Sequence, residues 1–192
     1  MDLTLREEIG SLRVLGTPLP GVLVLEPRVF RDERGFFLET FRDELVARAG
    51  IDATFIQDNH SRSARHTVRA LHFQTEPGQP KLVRCARGSV FDVVVDLRKS
   101  SPTFGRHFAL ELSDENHRQL YIPKGFAHGF CVTSEIADFV YRCGSYYDPA
   151  TERGILWNSP ELGIAWPTAT PVLSERDRTN PTFSEYPGPW FP

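Results

Sequence analysis

Four side chains able to move protons or steady charge crowd one stretch, TVRALHFQTEPGQPKLVRC, from Thr67 to Cys85. His72 and Gln74 stand two apart in an alternating run, Arg69 comes just before them, and Lys81 opens the next apolar run. In a strand, Ala70, His72 and Gln74 share one face, while Leu71 and Phe73 share the other. A lone strand histidine is by default a buried, hydrogen-bonded neutral ring. An imidazole, an amide, a guanidinium and an ammonium around one strand pair point instead to convergence on a ligand. Arg69 has the opposite parity to His72, so a bulge or a strand start is needed before both face one cavity. Tyr141, in ADFVYRC, is by default core filler, and Asp177, in LSERD, by default a turn or cap residue.

Other chemistries lack their signatures. The segment IPKGFAHGF places His128 in a P-x-G-x-x-H pattern that resembles the second sequence motif of the cupin superfamily. The first cupin motif normally supplies His-x-His, and here that place reads His72-Phe73-Gln74. Two separated histidines are a poor set for an ion that takes three or four good ligands, so no catalytic metal is expected. The sequence has no G-x-S-x-G elbow, Walker A loop or G-x-G-x-x-G fingerprint. Acid–base chemistry remains.

The 192 residues suit one domain with a sizeable core, and 40% hydrophobic against 24% charged residues is ordinary globular composition. A formal net charge of −3 gives no basic field for nucleic acid. Cys85, Cys131 and Cys143 are odd in number and lie in apolar runs, which suits free thiols in a reducing cytoplasm. No signal peptide or membrane-spanning run is visible; the best apolar run, VFDVVVDL, is broken by Asp92 and Asp96.

The elements that must position these residues are short strands. GVLVLEP, GFFLETF, TFIQDNH, TVRALHFQ, KLVRCARG, SVFDVVVDLR, RHFALEL, RQLYIP, AHGFCVT and ADFVYRCG are separated by turn signals such as EPGQP and LSDENH. That punctuation predicts an all-β sandwich or barrel. One short helix is expected over Arg42–Ala49 and a second near Ser174–Arg178. Residues 1–20 read as an extension that packs on a partner subunit, and 180–192 as an ordered tail whose Phe183, Tyr186 and Trp190 cover apolar surface.

Several blocks in one order carry a family resemblance: FRDERGFFLETF, FIQDNHS, RALHFQ, KLVRCARGSVFDVVVDLRKSSPTFG, QLYIPKGFAHGF and LSERD. From about Gly21 to about Thr179 the chain resembles the dTDP-4-dehydrorhamnose 3,5-epimerases. The resemblance implies an all-β, cupin-type jelly-roll barrel with one or two short peripheral helices, acting on a dTDP-sugar as a homodimer without a cofactor. It implies His72 as general base, Asp177 as its carboxylate partner, Tyr141 as proton donor on the opposite side of the ring, and Lys81 beside the keto oxygen. It places Arg34, Glu39, Gln57, Asp58, Asn59, Arg69, His128, Glu152 and Arg176 at substrate-binding positions, and Tyr147 as the aromatic that stacks on thymine. Ala70 stands where the family more often has glycine, and Arg176 where lysine is frequent; the Ala70 methyl is expected to narrow or fill the lumen.

The implied reaction removes a proton alpha to the C4 ketone and returns one to the opposite face, at C3 and at C5. It needs a base on one side of the ring, an acid on the other, and a cation near O4. Histidine suits the base because its ordinary pKa is near neutrality, and tyrosine serves as the acid where an enolate forms within reach. Three alternatives stay open: epimerisation at C3 or C5 alone, a 3,4-ketoisomerase, and a non-catalytic sugar-nucleotide-binding jelly roll.

Overall fold

A computed structural model describes residues 3–192. The strands are β1 (Thr4–Ile9), β2 (Leu12–Gly16), β3 (Leu23–Pro27), β4 (Val29–Asp32), β5 (Gly35–Leu38), β6 (Gln57–Ala64) and β7 (Val68–Gln74). They continue with β8 (Lys81–Arg87), β9 (Ser89–Asp96), β10 (His107–Ser113), β11 (Gln119–Ile122), β12 (Phe126–Val132), β13 (Ile136–Cys143) and β14 (Glu152–Gly154). Two short helices, α1 (Asp43–Arg48) and α2 (Glu175–Thr179), lie outside the strand layers.

A seven-stranded sheet in the order β1-β2-β3-β11-β8-β13-β6 faces a five-stranded sheet in the order β10-β9-β12-β7-β14. Alternation along each strand decides what enters the space between them. From β9, Val90 and Val94 join the inner core, while Val93 and Val95 join an outer one. Val83 and Cys85 of β8, Phe130 and Val132 of β12, and Ala137 and Phe139 of β13 belong to the same inner core. This is the expected all-β jelly roll with two short helices.

Both outer faces are covered. Leu45 and Val46 of α1 sit over Val14, Leu25 and Leu82 on the back of the large sheet. The tail covers the back of the small sheet: Phe73 of β7 meets the rings of Tyr186 at 5.5 Å and Phe191 at 6.5 Å. Trp190 packs edge-on to Tyr186, and Phe183 beside Trp190. The tail therefore does what its composition predicts.

The first segment supplies β1 and β2, which lengthen the large sheet. β1 is exposed along nearly its whole length, so its TLREEI sequence shows none of the alternation that reveals a half-buried strand.

The expected bulge is in β7. His128 of β12 lies opposite His72, but Phe130 lies opposite Arg69, so three steps on β7 match two on β12. The extra residue flips the parity. Arg69, His72 and Gln74 face inward, and Val68, Ala70, Leu71 and Phe73 all join the outer core. Ala70 therefore does not share a face with His72, and its methyl neither narrows nor fills the lumen. It lies over Gly129 of β12, where any added Cβ would fall 2.3 Å from it.

Phe191 is 4% exposed beneath the site-bearing strand. Phe191→Ala is expected to lower unfolding free energy by about 3–5 kcal/mol, read as a reduced urea midpoint at unchanged slope.

Candidate active site

At one end of the space between the sheets, polar side chains replace the apolar core. An inner cavity of about 150 Å³ is bounded by Arg69, His72, Lys81, His128 and Tyr141, with Ser61 and the rings of Phe130 and Phe139. An outer cavity of about 300 Å³ shares His72, Lys81 and Tyr141 and adds Gln57, Asn59, Gln74, Gln79, Tyr147 and Glu152. The three shared residues make one cleft, closed at His128 and open at Tyr147.

His72 and Tyr141 come from opposite sheets, β7 and β13. They meet the same contents from two sides. Asp177 is 2% exposed and stands 2.5 Å from His72 Nε2. It is held by the start of α2, where the Asp177 N–H donates to the Ser174 hydroxyl. A carboxylate can only accept, so the Nε2–H is the donor and Nδ1 keeps the free lone pair. Ser174 is the cap of α2, and Asp177, inside its first turn, is the partner of the histidine.

Lys81 opens β8 and turns inward beside Tyr141, its Nζ 6.0 Å from the ring centre. Burial pulls the Lys81 pKa below the ordinary lysine value, against the opposing pull of Cys143, Glu152 and Asp92. Burial also pushes the Tyr141 pKa above the ordinary phenol value.

His128 lies at the closed end, its Nε2 at 2.9 and 3.1 Å from the two oxygens of Asp92. Asp92 is fully buried on β9, and burial raises its pKa against the pull of His128 and Lys81. Sequence reasoning did not select Asp92. Its signal was an acid on the inward parity of an otherwise apolar strand. Gln74 and Gln79 also line the cleft without having been assigned a role.

At the mouth, the Tyr147 hydroxyl donates to Glu152 at 2.7 Å, and Arg176 pairs with the same carboxylate at 2.6 Å. Burial opposes ionisation of Glu152, but these two partners outweigh it and hold its pKa below the ordinary value. Gln57 accepts the Tyr147 N–H and donates to Asn59, fixing the base of the aromatic.

Three residues matched to binding positions stay outside this cleft. Asp58 lies between Gln57 and Asn59, so alternation turns it to the other face of β6, where it pairs with Arg142 at 3.5 Å. Arg34 is at the tip of the β4–β5 hairpin, highly exposed and paired with Asp32. Glu39 pairs with Arg42 before α1. Among the described residues, no three His, Cys, Asp or Glu side chains gather as a metal set. No helix there is long and apolar enough to cross a membrane.

A jelly-roll barrel that sets a His–Asp pair against a tyrosine across one cationic cleft defines an isomerase of the cupin-type class. The chain belongs to the dTDP-4-dehydrorhamnose 3,5-epimerase family, whose model matches residues 16–185. It is 53% identical over 168 residues to the dTDP-4-dehydrorhamnose 3,5-epimerase of Shigella flexneri, covering 86% of this chain and 93% of the relative. A dTDP-4-dehydrorhamnose 3-epimerase of Streptomyces niveus is 46% identical over 169 residues, covering 87% of this chain and 81% of the relative. The crystal structure of a 3,5-epimerase from Legionella pneumophila in complex with dTDP-4-keto-L-rhamnose superposes with a TM-score of 0.87 at 43% identity, covering 90% of this chain and 93% of that one.

The chain has three lysines, Lys81, Lys99 and Lys124. NMR titration of ε-¹³C-labelled lysine should show one that titrates below the ordinary lysine value and vanishes in Lys81→Arg. A Lys81 signal at the ordinary value would contradict the effect assigned to burial.

Proposed function

We propose that the chain epimerises dTDP-4-dehydro-6-deoxy-D-glucose at C3 and C5 to dTDP-4-dehydro-L-rhamnose. The observation that carries this is the placement of His72 and Tyr141 on opposite sheets over one cavity. Inversion at carbon needs a proton removed from one face and delivered to the other, and two residues on one sheet would return it to the face it left.

The free lone pair of His72 takes the proton alpha to the ketone. Asp177 holds the ring's orientation and stabilises the imidazolium, the logic of a hydrolase His–Asp pair. Charge develops on O4, where the Lys81 ammonium meets it; a preorganised donor of this kind is typically worth about 3–4 kcal/mol. Tyr141 then delivers a proton from the other side, a step that typically contributes roughly 10²–10⁴-fold. Arg69 and His128–Asp92 bound the sugar end, and Tyr147 offers its face to the thymine at the mouth. None of these steps calls on a cofactor.

A homodimer fits the same reading. Arg34 and Glu39 are matched to substrate positions yet lie away from this chain's cleft. The hairpin that carries Arg34 exposes Phe30, Phe36 and Phe37, at 48%, 53% and 71%. Such an aromatic surface suits burial against a second copy, with Arg34 reaching that copy's cleft. Three buried free thiols suit a cytoplasmic enzyme.

In heavy water the product should carry deuterium at both C3 and C5; label at C3 alone would make the enzyme a mono-epimerase. His72→Ala should lose exchange at both carbons, and unimpaired exchange would remove it as the base. Tyr141→Phe should lower turnover by about 10²–10⁴-fold with little change in substrate affinity. Arg34→Ala and His72→Ala, each weak alone, should regain activity when mixed and allowed to exchange subunits, because one site of the mixed dimer is whole. Absence of complementation would count against the shared site.

A further inference from the structure

Gln74 carries an unspent donor into the cleft. It lies two residues beyond His72 on β7, is only 7% exposed, and lines the outer cavity but not the inner one. Its Oε1 accepts the Asp148 N–H at 3.2 Å. That bond orients the amide, since a backbone N–H is met only by the oxygen, and Nε2 is left on the other side. Nε2 has no hydrogen bond to any described residue. Nor is it sealed within protein: among the described residues, Asn180 Nδ2 is the one buried, unpartnered side-chain nitrogen or oxygen. So the Nε2 group reaches the cleft, with both N–H bonds unused.

An amide this deeply placed loses free energy unless something accepts those hydrogens. In the open cleft water meets them, and a ligand that displaces this water has to supply the acceptor in its place. Oε1 is turned away toward Asp148, so what the amide offers the cleft is its two donors, and an oxygen that only accepts suits them best. A hydroxyl would leave its own hydrogen to be met elsewhere; a phosphate oxygen has none to place. Position along the cleft agrees. Gln74 stands outward of the inner cavity that holds the hexose and inward of Tyr147, where the base sits, which is where the sugar-linked phosphate must pass. Glu152, opposite Gln74 on β14, already has its charge met by Arg176 and Tyr147 and leaves that stretch less repulsive to an anion.

We propose that Gln74 is a substrate-binding residue whose Nε2 donates to an oxygen of the sugar-linked phosphate, fixing how deep the hexose sits between His72 and Tyr141. This rests on the dTDP-sugar reading above.

The test is calorimetric titration of dTDP and of dTMP, which lacks the second phosphate, into wild type, Gln74→Glu and Gln74→Ala. Gln74→Glu keeps the shape and the acceptor for Asp148 but puts an oxygen where the donor was. Gln74→Ala removes the donor without adding charge, and carries the test should the glutamate variant fail to fold. Loss of a hydrogen bond to a charged group predicts a dTDP Kd about 10- to 100-fold higher in both variants, with dTMP changed far less. Equal dTDP affinity in all three proteins would overturn the assignment. Equal weakening of dTMP and dTDP would overturn its placement at the sugar-linked phosphate. Wild type that fails to bind dTDP would instead overturn the dTDP-sugar reading itself.

Discussion

One extra residue in β7 governs the site. Without it, Arg69 and His72 would face opposite sides of the small sheet, and either the guanidinium would lie in the apolar layer under the tail or the imidazole would. With it, the strand turns three polar side chains inward while Val68, Ala70, Leu71 and Phe73 stay under the aromatic cover. A parity change of this kind moves every later side chain to the other face, so register here is also site architecture. Gly129, opposite the bulge, leaves room for the displaced Ala70.

The polar end of the barrel holds buried carboxylates, and each of them is met. Removing one partner of such a buried pair costs far more than the pair contributes. Asp92 and His128 meet at the closed end, Asp177 and His72 in the middle, and Glu152 and Arg176 at the mouth. Lys81 differs: its charge is attracted by several groups but taken up by none at close range, and burial lowers its proton affinity. Under the proposed reaction, that unpaired group is the one that would face charge developing on O4.

Much of this was legible in the sequence. Alternating apolar runs gave ten of the strands and both helices their approximate places, and the contrast between polar types and apolar neighbours singled out His72, Gln74 and Lys81. What stayed hidden depended on long-range pairing. The convergence of His72 with Asp177, 105 residues apart, came only through family likeness. Parity required a bulge or a strand start, and the partner strand was needed to decide between them and to locate the bulge. Strand β1 was invisible because its exposed face pattern carries no hydrophobic period, and β14 because three residues are too few to show one. Asp58 was grouped with Gln57 and Asn59 by motif, although alternation alone sends it to the other face. Asp92 was noticed for interrupting an apolar run, and its inward parity with Val90 and Val94 was the missing step.

The aromatic cover over β7 has a consequence for synthesis. The strand bearing His72 is made early, but both the carboxylate partner of that residue and the rings that seal the strand's back come more than 100 residues later. A nascent chain stalled on the ribosome before Trp190 emerges would hold an unsealed sheet, with Phe73 open to water and to other chains. The His–Asp pair and the seal over β7 are therefore completed together, and until then the exposed apolar face of this sheet is prone to association with other chains.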